Sequence, residues 1–221
     1  MKIALLGFGR MGQAIEKFAL EKGHEIVLRI NKENQEELNI LNLSKADVAI
    51  DFSYPDSAEG HIRLCIDSGV PVVSGTTGWT KNIEEMNQYC EEKKGAFLYA
   101  SNFSIGVNIF FVINEKLAEM MNHQNQYDVQ MEEIHHIHKL DSPSGTGITL
   151  ANQIIKNVDR KTAWIESETA QANEIAIHAS RYKETPGTHG VTYTSAIDDI
   201  EIKHTAHSRD GFAKGALMAA E

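Results

Sequence analysis

Residues 1–23, MKIALLGFGRMGQAIEKFALEKG, decide the fold. Ile3-Ala4-Leu5-Leu6 is a short continuous apolar run, the pattern of a strand buried on both faces of a parallel sheet. Gly7-Phe8-Gly9-Arg10-Met11-Gly12 follows as G-x-G-x-x-G, and Gln13–Lys22 then places Ile15, Phe18 and Ala19 on one helical face before Gly23 stops the helix. A glycine-rich turn between a strand and a helix is a dinucleotide-binding signal: Gly7 allows the tight turn, Gly9 lets backbone approach a pyrophosphate, and Gly12 lets the helix pack closely. The helix N-terminus adds N–H groups and a positive dipole end for the phosphates.

The rhythm continues outward from this stretch. Strands are expected at His24–Ile30, Ala46–Phe52, Val70–Ser74 and Ala96–Ala100, with helices at Ser57–Ser68 and Asn82–Lys94. Alternating strands and helices imply right-handed crossovers and a doubly wound parallel sheet. Ligands collect at the carboxyl edge of such a sheet. Gly75-Thr76-Thr77 after the fourth strand and Ala100-Ser101-Asn102-Phe103 after the fifth are therefore candidate cofactor contacts. The tip of the second strand reads Asn31-Lys32, with no acid, so Lys32 is a candidate partner for a 2′-phosphate and Asn31 for a free ribose hydroxyl. This favours use of both cofactors with a lean to NADPH; the alternative for Lys32 is a solvated loop charge.

The composition narrows the class of protein. The chain has 221 residues, 42% of them apolar, and a formal net charge of −10. That balance without a basic run argues against nucleic acid or an anionic membrane as partner. No apolar run approaches a membrane span of roughly 20 residues, and a glycine-cut N-terminus argues against a signal peptide. Cys65 and Cys90 form no disulfide framework and read as reduced thiols of a cytoplasmic protein.

After residue 104 the pattern changes. Ile105–Asn122 is an apolar helix, Tyr127–Ile134 alternates as a strand, and further strands are expected at Ala163–Glu168, Ala172–Ser180, Gly190–Ser195 and Asp199–His207. This half reads as a mixed or antiparallel sheet with helices against it. Between strand and helix runs Glu133-Ile134-His135-His136-Ile137-His138-Lys139-Leu140-Asp141-Ser142-Pro143-Ser144-Gly145-Thr146-Gly147, with a helix expected from Ile148 to about Asn157 and Pro143 in its first turn. Adjacent histidines on a strand point to opposite faces, so His135, His136 and His138 do not readily converge, and no metal is expected. An anion-binding catalytic loop fits better. Lys139 is a point charge for a carboxylate, a histidine can donate a proton near neutral pH, and Ser144, Gly145 and Thr146 would offer N–H groups and hydroxyls to a second carboxylate. Of the ten histidines, His135 and His136 stand out as the functional pair and the others as structural.

The segment E-x-H-H-x-x-K-x-D-x-P-S-G-T resembles the signature of the dihydrodipicolinate reductase family. The glycine motif, Asp51–Pro55, Ser74–Gly78, Ala100–Asn108, Pro186–Val191 and Ile202–Ala216 match further family segments in order. The resemblance implies a Rossmann-type doubly wound parallel sheet (residues 1–104, with 209–221 returning to it) and an α+β domain with a mixed sheet for substrate binding and oligomerisation (residues 105–208). It implies reduction of a cyclic imine dicarboxylate by NADPH or NADH in the diaminopimelate route to lysine. His135 matches the family's general acid and Lys139 its second proton donor and carboxylate partner. His136, Gly145 and Thr146 match substrate-binding positions. Gly7, Phe8, Gly9, Arg10, Met11, Gly12, Gly75, Thr76, Thr77 and Ala100–Phe103 match cofactor contacts. A cytoplasmic homotetramer is the implied assembly. The family runs on beyond the last helix, whereas this chain stops at Met218-Ala219-Ala220-Glu221, mid-helix by pattern, so the first domain is expected to lack its C-terminal segment. The competing readings are another NAD(P)-dependent reductase or dehydrogenase of an amino-dicarboxylate, and a non-catalytic nucleotide-sensing protein.

Overall fold

The computed structural model describes all 221 residues. The chain divides into two compact units, Met1–Ser104 with Asp210–Glu221, and Ile105–Arg209. The return to the first unit begins at Asp210 rather than at residue 209.

The first unit contains β1 (Lys2–Leu6), α1 (Arg10–Glu21), β2 (Glu25–Ile30), α2 (Ile40–Leu43), β3 (Val48–Asp51), α3 (Pro55–Asp67), β4 (Val72–Ser74), α4 (Ile83–Glu92), β5 (Phe97–Tyr99) and α7 (Asp210–Ala220). Its five strands are all parallel, in the order β2-β1-β3-β4-β5. The central strands β1, β3 and β4 are mostly apolar because both faces are covered, whereas the edge strand β2 exposes Glu25 and Arg29. Successive side chains of β1 alternate: Ala4 and Leu6 pack with Ala58, Ile62, Cys65 and Met86, while Ile3 and Leu5 pack with Ile15, Phe18, Ala213 and Leu217. The end of α7 is tied to the end of α1, where Glu221 accepts from Lys22 Nζ (2.6 Å) and pairs with His24 Nε2 (2.9 Å).

The second unit contains α5 (Ile105–Met121), β6 (Asp128–His135), α6 (Gly145–Asn157), β7 (Ala163–Glu166), β8 (Glu174–Arg181), β9 (Gly187–Thr194) and β10 (Asp199–Ala206). The sheet order is β10-β9-β6-β8-β7, and it is mixed: β6 runs parallel to β8 and antiparallel to β9. Val129, Met131, Ile175, Ile177, Val191 and Tyr193 form the apolar part of one face, packed with Phe110, Leu150 and Ile154 of α5 and α6. No helix of the chain is long and apolar enough to cross a membrane.

Two local expectations are corrected. Helix α6 starts at Gly145, not Ile148, because the Ser144 side chain caps it by accepting the Gly147 N–H at 3.0 Å. Pro143 therefore precedes the cap instead of occupying the first turn, and the Ser142–Pro143 peptide is cis.

Candidate active site

In the first unit, the turn after β1 forms one wall of a cleft of about 1160 Å³. Gly7 has φ +96°, and a Cβ there would lie 2.1 Å from the Phe52 carbonyl oxygen. Gly12 is confined differently: its Cβ would lie 2.4 Å from the Gly7 carbonyl oxygen, so it packs α1 against the turn itself. Gly9 is exposed, with nothing within 4 Å of the place a Cβ would take. Gly9 is also the N-cap position of α1, whose N-terminus carries no side-chain cap and no acid in its first turn. An open glycine at an uncapped, positive helix end fits a phosphate group well.

Phe8, Arg10 and Met11 share this cleft with Lys32, Gly75, Thr76 and Thr77. Lys32 sits at the rim, its Nζ 4.2 Å from the centre of the Tyr54 ring. The Asn31 side-chain oxygen is engaged within its own turn by the Glu33 N–H at 2.7 Å. Gly75 is needed for space, since a Cβ would lie 2.2 Å from the Phe52 ring. Thr76 is buried and its hydroxyl donates to Asp51 at 2.7 Å while accepting the Ser53 N–H at 2.8 Å. Asp51 is itself fully buried and also holds Ser74 and His61, each at 3.0 Å. This carboxylate ties the ends of β3 and β4 together beneath the cleft, a role the sequence reading did not assign. Ala100, Ser101, Asn102 and Phe103 follow β5 but are not part of the cleft wall. Phe103 is buried in the core, where its carbonyl oxygen lies 1.7 Å from the place a Gly215 Cβ would take.

In the second unit, the site is built on the sheet face that carries the core. Along β6, Met131, Glu133 and His135 alternate onto one face. The register sets His189 of β9 opposite Glu133 and Arg181 of β8 opposite His135. The face thus changes from apolar to polar at Glu133, beside the start of α6. Glu133 is 1% exposed and its carboxylate accepts the Ser144 N–H at 2.9 Å and the Ser144 hydroxyl at 2.5 Å. His135 Nδ1 lies 3.6 Å from it, an ion-pair distance too long for a good hydrogen bond. Burial alone would push the Glu133 carboxyl up, but His135 and the two Ser144 donors outweigh it and hold it at about 2.

His189 is buried, with its ring 4.9 Å from that of His135 and its Nε2 3.1 Å from Ser144 Oγ. Burial, reinforced by His135, pushes its pKa down to about 4, against the opposite pull of Glu133. His189 is therefore neutral near pH 7. The sequence reading places His189 among the structural histidines; in the structure it belongs to the cluster around Glu133.

His136, the first residue past β6, is half-buried, and burial and Arg209 lower its pKa. His138 lies in the exposed loop against Glu184 at 3.2 Å. The two rings are 6.2 Å apart, and neither joins His135. Lys139 Nζ is held by both oxygens of Asp141 at 2.6 Å. Arg181 braces this loop by donating to the Asp141 carbonyl at 2.7 Å. Ser144 is 3% exposed and spends its N–H and hydroxyl on Glu133, which leaves Gly145 (exposed) and Thr146 (half-buried) to present the helix end. Donor atoms of Glu133, His135 and His189 lie within 4.8 Å of one another, close enough to consider a cation. The Glu133 oxygens are already engaged by Ser144, however, and drawing them to a metal would undo the cap of α6.

A phosphate-ready glycine turn in one unit and a buried acid–histidine cluster in the other are what a nicotinamide-dependent oxidoreductase requires. Known proteins narrow that class. Residues 1–103 match the family profile "Dihydrodipicolinate reductase, N-terminus", and residues 106–221 match "Dihydrodipicolinate reductase, C-terminus". The chain belongs to the dihydrodipicolinate reductase family.

It is 52% identical over 221 residues to a 4-hydroxy-tetrahydrodipicolinate reductase of Christiangramia forsetii, covering 100% of this chain and 91% of the relative. It is 36% identical over 234 residues to one of Clostridium novyi, with the same coverage. Its fold is similar to that of a dipicolinate-bound dihydrodipicolinate reductase from Paenisporosarcina sp. TG-14, with TM-score 0.77 and 23% identity over 100% of this chain and 93% of that one.

Proposed function

We propose that this chain reduces dihydrodipicolinate, the cyclic imine dicarboxylate derived from 4-hydroxy-tetrahydrodipicolinate, to tetrahydrodipicolinate with NADH or NADPH, in the diaminopimelate route to lysine. Membership of the reductase family supports the reaction. The observation that carries the site assignment is that His135 and the N-terminus of α6 meet at the buried Glu133, with Lys139 in the loop that joins β6 to α6.

The first unit is read as the dinucleotide domain. Gly7–Gly12 and the start of α1 would hold the phosphates, with Gly75, Thr76 and Thr77 opposite. Lys32 at the rim supports a lean to NADPH while leaving NADH acceptable. The bound nucleotide supplies the hydride. The second unit is read as the substrate domain. His135 gives the proton that meets the negative charge developing toward the ring nitrogen. Lys139 exchanges its Asp141 partner for a substrate carboxylate, so the dianion is not repelled by an acidic protein. Gly145 and Thr146 receive the second carboxylate at the positive end of α6, and His136 is read as a further substrate contact from the loop after β6. Ser144 holds that helix end in place, and Ala100–Phe103 shape the cofactor domain from the end of β5.

Assembly as a homotetramer through the second unit is part of the proposal. It is supported by the edge strand β10, where Ile200 is 37% exposed, and by Ile197 at 89%. A cytoplasmic location is supported by two unpaired, buried cysteines. The test is a coupled assay in which the product of the synthase that makes 4-hydroxy-tetrahydrodipicolinate is offered with NADPH or NADH. Substrate-dependent loss of nicotinamide absorbance is expected with both nucleotides. Folded protein that oxidises neither would reject the reading.

A further inference from the structure

Glu133 is a charged side chain buried where an apolar residue would cost less. Two glycines leave room for the cluster around it. A Cβ at Gly147 would lie 2.5 Å from Glu133 Oε2, and one at Gly187 would lie 3.3 Å from His135 Nε2. The hydrogen bonds can be counted. The Ser144 hydroxyl has one proton, which goes to Glu133, and it accepts the Gly147 N–H. The His189 nitrogen at 3.1 Å must therefore donate to it, so neutral His189 carries its proton on Nε2. The Glu133 carboxylate is then the acceptor nearest His135 Nδ1, which is sealed from solvent and has no hydrogen-bond partner.

We propose that Glu133 is a positioning residue for the reduction: its carboxylate sets His135 with Nδ1–H toward Glu133 and Nε2 as the proton-donating nitrogen, and through Ser144 it fixes the start of α6. One buried charge thus aligns the proton donor with the helix end that takes the substrate carboxylate. This rests on the reading of His135 as the donor. The other titratable or charged groups around His135 are its neighbour His136, just past the end of β6, Arg181 of β8 and His189 of β9, with Lys139 acting on His189.

The experiment compares Glu133→Gln, Glu133→Asp and His135→Gln in the full chain, by NADPH oxidation against pH. In Glu133→Gln, kcat should fall by roughly 10- to 100-fold at neutral pH. The cofactor KM should be unchanged, so the loss falls on kcat alone. Glu133→Asp should recover part of the loss. Wild-type kcat in Glu133→Gln, or a loss of NADPH affinity matching the loss of kcat, would overturn the proposal.

A second measurement needs no variant at position 133. Long-range proton–nitrogen NMR of ¹⁵N-histidine-labelled wild type, with His135 assigned by its absence in His135→Gln, should show neutral His135 protonated on Nδ1. Protonation on Nε2 would overturn the proposal even if Glu133→Gln did not fold. Wild-type turnover in His135→Gln would instead overturn the donor assignment, and the NMR result would still decide whether Glu133 orients the ring.

Discussion

Replacing His189 by Gln should flatten the acid sensitivity of the second unit. The buried imidazole resists protonation, with its pKa lowered from 6.5 to about 4. Above pH 6.5 the ring is neutral in both folded and unfolded chains, and its titration contributes nothing. As pH falls below 6.5 the unfolded chain takes up a proton that the folded chain refuses until about pH 4, so stability is lost across that window. The full difference is worth about 3 kcal/mol, of which about 2 kcal/mol is already lost at pH 5. Glutamine does not titrate. At pH 7.5 the variant should be less stable by about 1 kcal/mol, for the altered bond to Ser144. At pH 5 that deficit should vanish or reverse. His136, whose pKa is also lowered by burial, is present in both proteins and is not among the groups acting on His189. The assay is urea unfolding at the two pH values, followed by fluorescence of Trp164 in β7 in a Trp79→Phe background common to both proteins. Equal pH dependence in wild type and variant would refute the reasoning. Below pH 4.5 the next loss belongs to Glu133: its carboxyl is held at about 2, so its contribution is complete above 4.5 and disappears as pH falls toward 2.

Further outcomes are expected elsewhere. Gly9→Ala should keep the wild-type Tm and raise the cofactor KM, whereas Gly12→Ala should lower Tm, because only Gly12 has a backbone oxygen 2.4 Å from the new methyl; thermal melts and steady-state kinetics separate the two. Lys32→Ala should lower kcat/KM for NADPH more than for NADH, and an unchanged ratio would leave Lys32 as a surface cation over Tyr54. Tyr193→Phe should be neutral or stabilising by up to about 1 kcal/mol in urea unfolding, since the Tyr193 hydroxyl is buried without a hydrogen-bond partner.

The first unit was legible because its physics is local. An apolar run, a glycine turn and an amphipathic helix each leave a mark on consecutive residues, and β1, α1 and β2 lie within a residue or three of where the pattern puts them. The one-turn helix α2 was missed because four residues carry too little periodicity to register. The mixed sheet of the second unit showed in its alternating strands. Its polar cluster did not show in full. Glu133 looks like any polar residue on an alternating strand, and only the register to His189 and the cap at Ser144 reveal that it faces inward. His189 and Arg181 lie on strands far along the chain, and no spacing rule links them to His135. The start of α6 was placed late because Gly145 and Gly147 are poor helix formers, and the Ser144 cap outweighs them. Phe103 illustrates the reverse case: its loop follows a strand at the ligand-binding edge, yet its side chain completes the core.

The central claim is that a proton from His135 completes a reduction driven by a nicotinamide nucleotide. The most direct measurement is kcat/KM for the dicarboxylate substrate in wild type, His135→Gln and Lys139→Ala, with NADPH binding followed separately by fluorescence titration. Each variant is expected to lose a factor on the order of 100 or more in kcat/KM while binding NADPH as the wild type does. Near wild-type turnover in His135→Gln would contradict the account.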